Sequence, residues 1–433
     1  MSRLARLEGS ARFLALVKLA NVGLVLIWGF AVTFVFVRFL PIAEFQAFLL
    51  LVAFGNFTIS AEFGLTSIIY ARLRRHWLNN SAANDDGGFR LEEMGVLFLF
   101  LGLLVAGASL ILIVALALDW LSTGLPLLFL LFFLSACLNL PALLAKRALA
   151  AVDGNFLWEG LDCARRVVTI ALLLAILAGM DPRLSVALQL VVSIVVIGYA
   201  IGHVHRRLAM SRRHWLAFRV GGGHVRAHYL RDIGASAAFT VSDIIAYNAP
   251  YFTIALATSD PRPMLVFDFF FKMSRSLSML VRATVEAALP RITRAYHASD
   301  RIRLRQLLGR ALGAAMVFAI GLSAVLLLAG ERLFAILFDG RAAIDRADIT
   351  LIILALFALT LLCVSVYVQA ALGRFAELLA RSLPFLAGSL ASAPLALLLW
   401  PDRFDLAFLI LYALTLLMVA LLHLVSLRRL MRA

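Results

Sequence analysis

The chain has 433 residues, 63% hydrophobic and 15% charged, with a formal net charge of +15 and a mean hydropathy of +0.97. Soluble domains average about 45–50% apolar and about 25% charged, so this composition excludes an ordinary soluble enzyme and requires lipid as solvent for much of the chain. The basic excess concentrates in alternate loops, a pattern of membrane topology rather than of a nucleic-acid partner.

A membrane span needs about 20 mostly apolar residues. In chain order, such stretches are predicted over 13–37, 45–70, 94–118, 125–145, 161–179, 184–204, 234–258, 265–289, 311–329, 351–371, 376–399 and 406–425. The first follows Arg3, Arg6 and Arg12 but runs past signal-peptide length and holds Lys18 and Asn21, so it is expected to stay as a span. Basic loops hold Arg72, Arg74, Arg75 and Arg90, then Lys146 and Arg147, then seven arginines over 206–231, then Arg291 to Arg305, then Arg428 and Arg429. The intervening loops are poorer, which by the positive-inside rule puts both termini in the cytoplasm.

The longest basic stretch lies mid-chain. It divides an N-terminal six-helix lobe, 1–205, from a C-terminal one, 233–433, with 206–232 as a cytoplasmic linker. Gly154 and Gly373 mark tight turns after the fourth span of each lobe, each with Phe two residues on, at an offset of 219. Parallel six-helix repeats are a known transporter plan.

No P-loop, zinc motif or nucleophile elbow is present, and no metal, cofactor or enzymatic activity is expected. Cys137, Cys163 and Cys363 form no paired motif and read as packing residues. His203, His205, His214, His224 and His228 read as part of a basic loop at the headgroup surface.

The chemistry-bearing segment is 265–289. Asp268, Lys272, Arg275, Arg282 and Glu286 fall within an arc of roughly 80° at about 100° per residue. Each ionised group costs roughly 2.5–3.5 kcal/mol near a bilayer centre unless it faces protein or water. Two readings follow: an ion-pair network between helices, with Asp268 and Lys272 spaced to pair, or a cationic cavity for an anion. In the seventh span Thr240, Asp243, Tyr247 and Tyr251 share a face, with Asp243 roughly 15 Å deep. Lys18 either enters a cavity or snorkels to the surface. Glu62 is expected to pair with a nearby arginine. Arg165 and Arg166 are read as interfacial, at the start of the fifth span.

Three blocks carry a family resemblance: Val37-Arg38-Phe39-Leu40-Pro41 with Phe45, Phe48 and Glu62-Phe63-Gly64-Leu65; Phe267 to Arg294, ending Ala288-Leu289-Pro290-Arg291; and Leu333-Phe334-Ala335-Ile336-Leu337-Phe338-Asp339-Gly340. They resemble the polysaccharide and O-antigen flippases of the multidrug/oligosaccharidyl-lipid/polysaccharide exporter superfamily. Gln46 stands where that family usually has glycine. The resemblance implies an all-α polytopic membrane protein of about 12 helices, in two pseudo-symmetric six-helix bundles around a central cavity. It implies a monomer in the bacterial inner membrane that flips a polyprenyl-diphosphate-linked oligosaccharide by alternating access, alongside a polysaccharide polymerase or ligase. Lys272 and Arg275, then Lys18 and Arg282, would receive the diphosphate, with Asp243, Asp268 or Glu62 as coupling carboxylates. The rival expectation is an ion-coupled multidrug or organic-cation antiporter on the same fold.

Overall fold

The computed structural model describes residues 11–430 apart from 61, 63, 64, 79–88 and 373. Among the described residues all regular structure is helical: α1 (Ala11–Phe39), α2 (Ile42–Ser60), α3 (Leu65–Leu78), α4 (Glu92–Ala117), α5 (Pro126–Cys137), α6 (Asn139–Ala151), α7 (Asn155–Ala175), α8 (Pro182–Arg207), α9 (Arg212–Leu216), α10 (Phe218–Ala257), α11 (Pro261–His297), α12 (Arg301–Phe338), α13 (Arg346–Ala371), α14 (Phe375–Leu399) and α15 (Phe404–Leu430). Helices are what lipid permits, because each satisfies its own backbone hydrogen bonds.

Local chemistry sets the ends. Pro126, Pro182 and Pro261 each open a helix, where a missing N–H costs nothing. The carboxylates of Asp181, Asp260 and Asp300 accept from Arg183 N (2.7 Å), Arg262 N (3.0 Å) and Arg303 N (3.0 Å), capping α8, α11 and α12. α12 stops at Asp339 and Gly340, both in the left-handed region (φ 57° and 66°), with Gly340 N donating to Ala335 O at 3.0 Å.

Among the described residues nine segments are long and apolar enough to cross a membrane, α5 and α6 counting as one. α7, α10 and α11 are as long but hold polar and charged residues in their interiors. Together they make the expected twelve spans. The single span over 45–70 is two helices, α2 and α3, and that over 125–145 breaks at Leu138 between α5 and α6. Pro141, in the first turn of α6, lacks the N–H that would bond Cys137 O and so marks the second break; no proline marks the first. The residues 206–232 are also largely helical: α8 ends at Arg207, α9 follows, and α10 begins at Phe218.

Two compact units result. Unit 1 comprises Met1–Phe39 and Phe54–Ala237; unit 2 comprises Leu40–Ala53 and Ala238–Ala433. In unit 1, α7 packs on α1 and α8, and α8 also packs on α5 and α6. Leu140, Leu144, Ala145, Ala148 and Leu149 of α6 form its buried centre with Ile69, Leu73, Met94 and Leu97. In unit 2, α13 packs on α11, α12 and α15, and α14 packs on α15. Phe267, Phe270, Phe408 and Tyr412 make its aromatic core, with Tyr412 5.5 Å from Phe267 and 5.6 Å from Phe270. Apolar residues remain on the outside, Leu328 being 87% exposed, as a surface that meets lipid requires.

The repeated turn is visible in the hydrogen bonds. Gly154 N donates to Leu149 O at 2.7 Å, and Arg374 N donates to Gln369 O at 3.1 Å. α7 and α14 then begin at Asn155 and Phe375. The offset by geometry is 220 (374 − 154), one more than the sequence echo suggests; Gly373 itself lies outside the described residues. A Cβ on Gly154 would lie 3.1 Å from Leu149 O and 2.8 Å from Leu149 Cδ2, a tight fit against the turn.

Candidate functional site

Polar side chains gather separately inside each unit. In unit 2 the stripe on α11 begins at Asp268, which is 1% exposed. Its carboxylate accepts from Tyr251 Oη on α10 at 2.7 Å and from Lys272 Nζ one turn on. Asp268 and Lys272 therefore neutralise each other, as their spacing predicts. Tyr251 lies edge-on to Phe267 and Phe271, with centroids 4.9 and 5.7 Å apart, so the pair sits in an aromatic pocket.

Farther along α11 the stripe opens. Arg275 is exposed, lies 5.7 Å over the Phe271 ring and, among the described residues, has no carboxylate partner. Arg282 pairs with Glu286 at 2.7 Å, both half-exposed, and sits 5.8 Å over Tyr367. Asp243 on α10 is half-buried. It lies within electrostatic reach of Tyr247, Tyr367, Tyr412 and Cys363. Among the described residues it has no cationic partner. The polar set of unit 2 thus holds three acids (Asp243, Asp268, Glu286) and three bases (Lys272, Arg275, Arg282). Pairing leaves Asp243 among tyrosines and Arg275 alone.

Unit 1 holds a network that the sequence reading missed. Asn21 of α1 donates from Nδ2 to Glu159 (2.8 Å) and Asp162 (2.9 Å) of α7. Asp162 accepts from Arg165 (2.7 and 3.0 Å) and Arg166 (3.0 Å), and Arg166 Nε also donates to Asn21 Oδ1. Lys146 of α6 lies 3.7 Å from Glu159. Glu159, Asp162 and Arg165 are all under 10% exposed. The expectation that Arg165 and Arg166 are interfacial is therefore corrected. α7 starts at Asn155, so Arg165 lies ten residues, about 15 Å, along it. The charges themselves concealed the first half of the span from a search for apolar runs. The signal was present: Glu159, Asp162, Arg165, Arg166 and Thr169 recur at helical spacing, as do the charges of α11.

The remaining sequence candidates stay apart from both clusters. Lys18 is exposed on α1. Glu62 forms no arginine pair among the described residues; its Oε2 accepts from Thr66 N at 2.9 Å and caps α3. The histidines of 203–224 each have a hydrogen-bond partner. His203 Nε2 accepts from Arg207 (3.4 Å), His205 Nδ1 from Trp215 (3.1 Å) and His214 Nδ1 from Ser211 N (3.1 Å). His224 meets the buried Glu93 at 2.5 Å. The His228 side chain lies outside the described residues. Gly95 and Gly221 allow this segment to dock on α4: a Cβ on either would lie 2.5 Å from Trp215 O or 2.6 Å from Glu92 O.

No family model and no curated protein matches this chain. Solved structures do. A mutant of the Vibrio cholerae MATE transporter VcmN aligns over 99% of this chain and 98% of its own, at 15% identity and a TM-score of 0.63. The eukaryotic MATE transporter AtDTX14 aligns over 96% of each chain at 13% identity, TM-score 0.65. An inward-facing multidrug resistance MATE family transporter of the MOP superfamily aligns over 96% of this chain and 98% of its own at 12% identity, TM-score 0.64. At these identities the likeness establishes the fold. This is the MATE fold: all-helical, about twelve membrane spans, two pseudo-symmetric bundles.

Proposed function

We propose that this chain is an alternating-access membrane transporter, and that it exchanges an organic cation or drug-like solute for an ion. The observation that carries this reading is Asp243, a carboxylate without a cationic partner among the described residues, near Tyr247, Tyr367 and Tyr412. An acid within an aromatic lining suits an organic cation, through charge and through the ring faces. The MATE transporters that share the fold support the same choice over the flippase expectation. In this reading Asp243 exchanges solute for proton or metal cation, while Asp268 and Lys272 hold α10 and α11 together through Tyr251. The protein then sits in a bacterial inner membrane with both termini cytoplasmic, as the alternating basic loops imply.

Arg275 favours a second reading. An exposed guanidinium without a carboxylate is a receptor for phosphate, and with Arg282 on the same helix it would serve a polyprenyl-diphosphate-linked oligosaccharide, with a polymerase or ligase downstream. The experiment is transport by the purified chain in vesicles bearing a proton or sodium gradient. Gradient-dependent movement of ethidium, with none of a fluorescent polyprenyl-diphosphate oligosaccharide, is the expected result. The reverse pattern establishes the flippase and overturns the antiporter.

A further inference from the structure

The unit 1 network has a feature that neither reading uses. Its two arginines share one carboxylate. Arg165 spends Nε and Nη2 on Asp162, and Arg166 spends Nε on Asp162 and Asn21. Glu159 meanwhile faces Lys146 and Asn21. Arg165 and Arg166 thus balance Glu159 and Asp162 along α7, and Lys146 of α6, 43% exposed, adds a positive charge at the edge of the set.

Both arginines line a cleft of about 30 Å³ within unit 1. Its lining includes Arg165, Arg166, Asn139, Gln189, Ser193 and Trp28. Gln189 is held by Ser185 Oγ at 3.3 Å, and Asn139 by Ala136 O at 2.9 Å. Both side chains are therefore fixed, each with hydrogen-bonding capacity left over. The break between α5 and α6 places Asn139 at a helix start beside the arginines. The volume suits roughly two waters, at about 10–15 Å³ each, or one carboxylate or phosphate head entering from the open side. Two guanidiniums with neutral donors around them make an anion receptor and offer nothing to a second cation.

We infer that unit 1 contains an anion site, in which Arg165 and Arg166, with Gln189, Ser193 and Asn139, bind the carboxylate or phosphate group of a ligand. The site lies wholly inside unit 1 and does not depend on which solute the unit 2 residues handle.

The test uses the full chain in maltoside micelles, which carry no phosphate, titrated with inorganic phosphate and separately with acetate at constant ionic strength. Melting temperature and tryptophan fluorescence are read. A saturable response is expected in the wild type, weakened about tenfold or more in Arg166→Gln, the loss of a charge-assisted hydrogen bond. Gln189→Leu removes a neutral contact without unbalancing the charges and is expected to weaken the response with little change in the unliganded melting temperature. Nanodiscs of phosphatidylglycerol identify the source: loss of the response to free phosphate there means that a lipid headgroup fills the site, and persistence means a soluble anion. A wild type without a saturable response in micelles, or a response unchanged in both variants, overturns the inference.

Discussion

The two units solve the same problem in different ways. Both carry ionised groups in the middle of a membrane-spanning helix. Unit 2 neutralises most of them along one helix, Asp268 with Lys272 and Arg282 with Glu286, each at i,i+4. Unit 1 also pairs Asp162 with Arg165 and Arg166 along one helix, at i,i+3 and i,i+4, but it adds contacts across helices, from Asn21 of α1 to Glu159 and Asp162 and from Lys146 of α6 to Glu159. A pair along a helix survives any movement of its neighbours. A network across helices breaks when they part. The cross-helix contacts of unit 1 tie α7 to α1 and α6, while in unit 2 the cross-helix contact to the stripe is Tyr251 of α10 on Asp268.

The largest effect that separates the two belongs to unit 1. Asp162→Ala leaves the buried Arg165 and the half-buried Arg166 without their shared carboxylate, a loss of about 3–5 kcal/mol by analogy with broken buried pairs. It is expected to lower the thermal midpoint or the folded yield more than any single removal in the α11 stripe. An Asp162→Ala protein that melts with the wild type would mean that the network is not what holds α7 to α1.

An intermediate effect tests how the mid-chain segment docks. Gly221→Ala puts a Cβ 2.6 Å from the Glu92 carbonyl of α4, an overpacking cost of about 1–3 kcal/mol. The adjacent Gly222 has open space, so Gly222→Ala is expected to be neutral or stabilising by up to about 1 kcal/mol, the helix propensity gain. Equal melting of the two variants would contradict the docking described for α9 and α10.

The smallest effect is on the exposed pair of α11. Arg282 and Glu286 are 56% and 51% exposed, and such pairs contribute roughly 0–1 kcal/mol. Glu286→Gln should therefore shift the melting temperature little, and less at high salt. A shift as large as that of Asp162→Ala would show that the pair is buried in the working protein.

The same contrast decides what was legible in the sequence. Apolar runs such as those of α4, α12 and α13 announce themselves by composition. The charges of α11 were legible because they recur along one helix, and the Asp268–Lys272 pair follows from spacing alone. The partners in unit 1 come from residues more than a hundred positions apart, such as Asn21 and Asp162, and no local period links those. Arg165 and Arg166 were misplaced because an apolar-run search begins where the charges end. The break at α5/α6 was legible in Pro141, in the first turn of α6, while that at α2/α3 carries no proline. Glu62 shows the converse: an acid inside an apolar stretch suggested a buried partner, when the helix ends beside it and it caps the next.

The central functional claim is that Asp243 handles the transported cation. The direct measurement is ethidium transport in vesicles by the wild type, Asp243→Asn and Arg275→Gln, each checked for native melting. The account predicts that Asp243→Asn abolishes gradient-driven transport while Arg275→Gln retains it. Transport that survives Asp243→Asn and is lost with Arg275→Gln would contradict it.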